Sequence, residues 1–274
     1  EWKINPKTAE LEIESLENLI TNKTKIIAVT HCSNIVGSVN DLKKISELAH
    51  KMNAIVIGDG VSYAPHGFPD VKELGVDFYT FSLYKTYGPH LALLYGKEEI
   101  LKNLPNQNHY FLEGSYPYTI NPGGPNHEEL VSLIGIHEYM MDLYSHHFNS
   151  EKISTREKIY KVNNLMSLHE EEIANPILEY IDSREDLELI GKNKISNKNR
   201  APTISFISKK ISSKAVSEIL VSNKIATRND NFYAWRCLEA LGINTDDGLI
   251  RLSLTHYNST NDVENVINAL KKIY

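Results

Sequence analysis

The hydrophobic positions of this chain fall into short runs set between stretches of helical periodicity. Lys25-Ile26-Ile27-Ala28-Val29-Thr30, Ala54-Ile55-Val56-Ile57-Gly58 and residues 77–82 are each nearly continuous in apolar, aromatic or β-branched residues, which predicts buried strands. Between the first two, Leu42, Ile45, Leu48 and Ala49 recur at helical spacing and predict an amphipathic helix over 41–51. Leu11, Ile13, Leu16, Leu19 and Ile20 predict a shorter acidic helix within the first 24 residues. A short helix over 70–74, a strand over 91–95 and a helix starting at Lys97 complete the first part of the chain. Strands alternating with helices in this way predict an α/β architecture with a mostly parallel sheet.

Residues 104–126 are rich in Pro, Gly, Asn and Tyr and read as loop. Two helical runs follow, over about 127–144 and 154–174, and lead into a second alternating part. There the pattern predicts strands at 187–190, 203–207, 224–227 and 249–254, with helices at 214–222, 233–241 and 262–273. The expected organisation is a large domain over 1–148 and a smaller α+β domain over 149–274. The Lys- and Asn-rich piece 191–200 reads as a solvated loop.

Ligands of parallel sheets sit beyond the carboxyl ends of the strands. Asn34, Asp59, Ser82 and Lys85 are the polar residues that this reading places there. The run Phe78-Tyr79-Thr80-Phe81-Ser82-Leu83-Tyr84-Lys85-Thr86-Tyr87-Gly88-Pro89-His90 stops an apolar strand on an amine followed by a turn. Taken alone, such a lysine is a surface strand end. If partly desolvated, its pKa falls and its neutral amine becomes a nucleophile toward a carbonyl. One strand-to-strand crossover separates it from Asp59, so the pair can sit at neighbouring strand ends. A lysine that forms a Schiff base and an aspartate on a pyridine nitrogen are what pyridoxal phosphate requires. Taken alone, Asp59-Gly60 is a turn pair and Arg251 a strand arginine.

Composition narrows the function classes. The 274 residues are 41% hydrophobic and 23% charged, with a formal net charge of -6. No basic block suggests nucleic acid, and no apolar run reaches membrane-spanning length. The two cysteines, Cys32 and Cys237, lie far apart and form no metal-ligand spacing, so no metal is expected and a reduced, cytoplasmic protein is.

Several motifs carry a resemblance. Thr30-His31-Cys32-Ser33-Asn34, Asp59-Gly60-Val61-Ser62-Tyr63-Ala64-Pro65-His66, Phe81-Ser82-Leu83-Tyr84-Lys85-Thr86-Tyr87-Gly88-Pro89, Gly123-Gly124-Pro125-Asn126-His127-Glu128 and the run from Arg251 to Thr260 occur in this order over nearly the whole chain. Together they resemble the signatures of class V aminotransferases, pyridoxal-phosphate enzymes of fold type I, and most nearly the cysteine desulfurase and selenocysteine lyase branch. The resemblance implies cofactor attachment at Lys85, pairing of Asp59 with the pyridinium nitrogen, a bond from Asn34 to the phenolic oxygen and phosphate binding by Ser82. It implies that Arg251 clamps the substrate α-carboxylate, which suits a planar bidentate guanidinium. It also implies a homodimer and C–S or C–Se cleavage in a small amino acid, with transamination or epimerisation as alternatives.

Four positions depart from the pattern. Ser62 stands where desulfurases usually carry a glutamine, Tyr84 where many carry a histidine and Gly124 where a hydroxyl residue reaches the partner subunit's phosphate. Tyr233 stands in place of the loop cysteine that takes up sulfur, so persulfide relay is not expected. The resemblance covers the family's middle and C-terminal parts, and the N-terminal stretch that cradles the phosphate and stacks on the ring is not represented. A catalytically silent relative is the competing expectation. A dinucleotide-binding fold is set aside, because no Gly-x-Gly-x-x-Gly turn follows a strand.

Overall fold

The computed structural model describes residues 1–121, 123–149, 152–195 and 199–274. In chain order the first elements are α1 (Ile13–Leu19), β1 (Ile26–Thr30), α2 (Leu42–Lys51), β2 (Ile55–Asp59), α3 (Val71–Leu74), β3 (Phe78–Ser82), β4 (Ala92–Gly96) and α4 (Glu98–Leu101). They are followed by α5 (His127–Ser132), α6 (Ile134–His147), α7 (Thr155–Asp182), β5 (Leu187–Ile190), β6 (Thr203–Ser208) and α8 (Ser213–Ser222). The last are β7 (Arg228–Asp230), α9 (Trp235–Ala240), β8 (Leu249–Ser253) and α10 (Thr260–Lys271). The chain forms two compact units, and these cut it at other places than 148–149. One holds Thr21–His31 and Asp41–Val162; the other holds Glu1–Ile20, Cys32–Asn40 and Asn163–Tyr274.

The first unit is built on the sheet β1-β2-β3-β4. β1, β2 and β3 run parallel, and β4 returns antiparallel to β3. The helix α2 is capped by Asp41, whose carboxylate accepts the Lys44 N–H, and it buries Leu42, Ile45 and Ala49 as its periodicity predicts. Among the described residues β1 lies at one end of the strand order; its burial alternates, and Ile26 is exposed. β4 lies at the other end, and Ala92, Leu93 and Leu94 are exposed. The helical run predicted over 127–144 is two helices that meet at Leu133.

The amino ends of β2 and β3 are held by a buried carboxylate. Asp77 is 4% exposed. It accepts the Val56 N–H at 2.8 Å and the Lys97 ammonium at 2.7 Å, and His50 Nε2 lies 2.9 Å away. Burial alone raises the carboxyl pKa, but the hydrogen bonds from Lys97, Val56 and His50 outweigh it and hold the group below the usual aspartate value.

The second unit has an antiparallel sheet in the order β5-β6-β8-β7. Its core is made by Ile177, Leu178 and Ile181 of α7, Leu220 of α8 and Ile204 and Phe206 of β6. That packing explains why α7 runs through Pro176 to Asp182, although the sequence predicts an end at Ala174. Burial of three large side chains outweighs one lost backbone bond. The strand expected at 224–227 begins instead at Arg228. Lys224 has φ 63, and Ile225 donates its N–H back to Leu220 O at 3.0 Å, so 223–225 are spent on ending α8. The loop read at 191–200 falls partly on 196–198, outside the described residues.

Removing Asp77 leaves a buried N–H and two side chains without their acceptor. Asp77→Ala should therefore cost about 3 kcal/mol in chemical denaturation of the whole protein. Because the folded pKa is depressed, the advantage over the variant should be complete above the unfolded value near 3.8 and shrink as pH falls through the lower folded value.

Candidate functional site

In the first unit the candidate residues are placed by register. Asp59 ends β2, paired with Thr30 on one side and Thr80 on the other. Ser82 ends β3 with the same parity as Thr80, so Asp59 and Ser82 share one face of the sheet. The chain continues into a single turn, Leu83–Lys85, which places Lys85 directly beyond the strand. Thr86 and Gly88 both donate to Leu83 O, at 2.8 and 2.9 Å, and tie this turn into a compact knot. Thr86 is fully buried and its hydroxyl donates to Ser82 O.

Packing decides which face Asp59 takes. The two glycines that flank it leave room for the fully buried ring of Tyr79. A Cβ on Gly60 would lie 2.1 Å from Tyr79 Oη, and one on Gly58 2.9 Å from Tyr79 Cδ2. Tyr79 thus fills the face where residues 58 and 60 would project, and Asp59 projects from the opposite one. The Tyr79 hydroxyl lies 2.7 Å from Nδ1 of His31, at the end of β1. His31 stacks on Tyr63 with ring centroids 3.7 Å apart. It is 3% exposed, and burial pulls its pKa down to about 3, so the ring is neutral.

The three groups are chemically unspent. The Lys85 amine and the Ser82 hydroxyl have no hydrogen-bond partner among the described residues. Asp59 accepts one bond, from the Val61 N–H at 3.0 Å. Lys85 is exposed, so the partial desolvation expected of it is not found. Of the departures, Ser62 lies in the turn after β2, and the exposed Tyr84 sets its ring 4.7 Å from that of His90. Gly124 is exposed, and a Cβ there would meet nothing within 4 Å, so the surroundings leave room for a larger residue.

Asn34 and Arg251 belong to the second unit. Asn34 Nδ2 donates to Phe232 O at 2.9 Å, and Arg251 Nη1 donates to Asn34 O at 3.0 Å. The Arg251 guanidinium carbon lies 3.9 Å from the centroid of the Phe232 ring. Burial, and then the like charge of Arg228 opposite it on β7, pull the guanidinium below its usual pKa. Phe232 is the residue that the sequence reading passed over. Phe232 and Tyr233 both take left-handed backbone, φ 52 and 61, without glycine. The Phe232 side chain turns into the unit, and Tyr233 is fully exposed. Both cysteines are chemically quiet: burial pushes the Cys32 thiol up to about 12 and the Cys237 thiol up to about 11.

The sequence model described as aminotransferase class-V matches residues 2–266. The chain belongs to the class V aminotransferase family. Members of this family use pyridoxal phosphate. The chain is 35% identical over 272 residues to the aminotransferase-like protein FGM3 of Gibberella zeae, covering 98% of this chain and 63% of that protein. It is 28% identical over 284 residues to a cysteine desulfurase of Escherichia coli O8, covering 99% of this chain and 63% of the relative. The fold is that of the cysteine desulfurase from Thermococcus onnurineus NA1, with a TM-score of 0.80, 23% identity and coverage of 100% of this chain and 65% of the other. The class V chain thus spans a little under two thirds of the length of these relatives. Its side chains fit the cofactor: a carboxylate with one oxygen on a backbone N–H and room for a ring nitrogen, and a hydroxyl and an amine with no hydrogen-bond partner among the described residues.

Because burial holds His31 neutral, protonating it favours the unfolded chain. Its contribution to stability is complete above about pH 6.5 and is lost as pH falls from there toward 3. The slope for one such group is about 1.4 kcal/mol per pH unit. Urea unfolding of the whole protein between pH 7 and pH 4 should show this slope, and His31→Gln should flatten it by that amount.

Proposed function

We propose that this chain is part of a pyridoxal-phosphate enzyme that cleaves the C–S or C–Se bond of a small amino acid. The observation that carries this reading is the presence of three unspent groups, Asp59, Ser82 and Lys85, at the carboxyl ends of two adjacent parallel strands. When bound, pyridoxal phosphate supplies an electron sink for a bond broken at the substrate Cα. Lys85 would hold the cofactor through its amine and would move the proton at the substrate Cα. Asp59 would keep the pyridine nitrogen protonated, and Ser82 would donate to the phosphate. Asn34 would donate to the cofactor's phenolic oxygen through the second N–H of its amide, while the first stays on Phe232 O. Arg251 holds the substrate carboxylate, and the protein acts as a homodimer.

Sulfur relay through this chain's own cysteines is not part of the proposal. A thiol accepts sulfur as thiolate, and burial keeps Cys32 and Cys237 protonated at neutral pH. The exposed tip of the loop is Tyr233, which has no thiol. A second reading, transamination or epimerisation, uses the same residues to move the Cα proton without loss of the β substituent. The aminotransferase-like name of the Gibberella zeae relative favours it.

The absorbance spectrum of the whole purified protein, before and after L-cysteine, tests the proposal. The expected result is a cofactor band that changes with L-cysteine, accompanied by sulfide release. Lys85→Ala should abolish the band's lysine-dependent form and lower sulfide release by about a thousandfold. A band that changes without sulfide release would move the assignment to the second reading. A spectrum that Lys85→Ala leaves unaltered would overturn it.

A further inference from the structure

Arg251 is held from two sides, and one residue controls both. Asn34 accepts from Arg251 Nη1 through its backbone carbonyl, and through its side-chain amide it donates to Phe232 O. The ring of Phe232 in turn lies under the guanidinium carbon, its centroid 3.9 Å away. The three residues close a ring of contacts in which no member can rotate without breaking one.

The loop that carries Phe232 is fixed independently. Asn231 Oδ1 accepts the Tyr233 N–H at 3.0 Å, and Asn231 O accepts the Ala234 N–H at 2.9 Å. A Cβ on Gly248, at φ 65, would lie 2.4 Å from the carbonyl of Asp230, so the backbones of these two segments touch. The Phe232 ring is itself packed among Ile35, Val36, Leu238 and Leu249. An aromatic face that cannot move is a platform, and a guanidinium seated over it by its central carbon keeps N–H donors for a ligand. Nη1 spends one donor on Asn34 O, and Arg251 has no other hydrogen-bond acceptor among the described residues.

We infer that Phe232 and Asn34 are positioning residues that hold the Arg251 guanidinium over the Phe232 ring and present its remaining N–H donors to the carboxylate of an amino-acid substrate. This inference rests on the carboxylate-binding role proposed for Arg251. An arginine side chain free to rotate loses rotamer freedom each time it binds; one already held does not, and it meets a planar carboxylate in bidentate geometry. The loop therefore contributes to substrate recognition through Phe232, while its exposed neighbour Tyr233 contributes no contact to the guanidinium.

The test compares two probes on the whole cofactor-loaded protein. L-Alanine carries the amine and the carboxylate but no β leaving group; ethylamine carries the amine alone. Dissociation constants are read from the change in cofactor absorbance. Phe232→Leu keeps apolar bulk and removes the aromatic face, and it should weaken L-alanine about tenfold while leaving ethylamine unchanged. Phe232→Tyr restores the face and should bind both probes as the parent does. Arg251→Gln should weaken L-alanine by about a hundredfold and leave ethylamine unchanged. If Arg251→Gln weakens L-alanine but Phe232→Leu does not, or weakens both probes equally, the positioning role is wrong and the role of Arg251 stands. If Arg251→Gln leaves L-alanine unchanged, the role of Arg251 itself is wrong and the positioning role falls with it.

Discussion

The parallel-sheet unit depends on where one aromatic ring lies. Tyr79 is packed across β2 on the face that Gly58 and Gly60 leave empty, and any side chain at those two positions would collide with it. Strand side chains alternate, so a ring on one face commits Asp59 to the other. A slip of one residue would bury the carboxylate and expose the glycines. His31 reinforces the choice, because a neutral imidazole at the end of β1 meets the Tyr79 hydroxyl and stacks on Tyr63. Three strands and the turn after β2 thereby meet at a buried polar contact, where the cost of an unmatched hydroxyl enforces the geometry.

The opposite end of the same sheet is fixed by a charge. Asp77 collects a backbone N–H from β2, an ammonium from the end of β4 and a histidine from α2. These three elements meet at the amino ends of β2 and β3, while Asp59, Ser82 and Lys85 lie at their carboxyl ends. The division is physically sensible. Groups proposed to bind a ligand have to keep donors and acceptors to spare, so securing the sheet falls to other residues, here Asp77 and its three partners.

Much of this was readable from residue order, for reasons that also explain what was not. Short apolar runs of strand length put Asp59 and Ser82 at strand ends, and the structure pairs Asp59 with Thr80, two residues before Ser82 on the neighbouring strand. The glycines on either side of Asp59 were visible too, and their spacing was a signal for a ring that went unread. The end positions of β1 and β4 were hidden, because strand order is a property of the sheet and not of any one strand. The end of α7 was misplaced because Pro176 weakens a helix locally, whereas Ile177, Leu178 and Ile181 stabilise it through partners distant in sequence. The desolvation expected of Lys85 was inferred from an apolar run, but the turn after β3 carries the lysine out to an exposed position.

The contact between Phe232 and Arg251 was the least readable of all, and the reason bears on function. It is made by the antiparallel pairing of β7 with β8 and by two consecutive left-handed residues, neither of which is glycine. Left-handed backbone at a phenylalanine and a tyrosine costs about 1–2 kcal/mol per residue, and it persists only where surrounding contacts over-determine it. Here those contacts are the hydrogen bonds of Asn231, the amide of Asn34 and the packing of the Phe232 ring. A loop built to carry a mobile sulfur acceptor would need none of this rigidity. A loop whose aromatic ring has to stay seated against a guanidinium needs all of it, and that is the rigidity the proposed positioning role calls for.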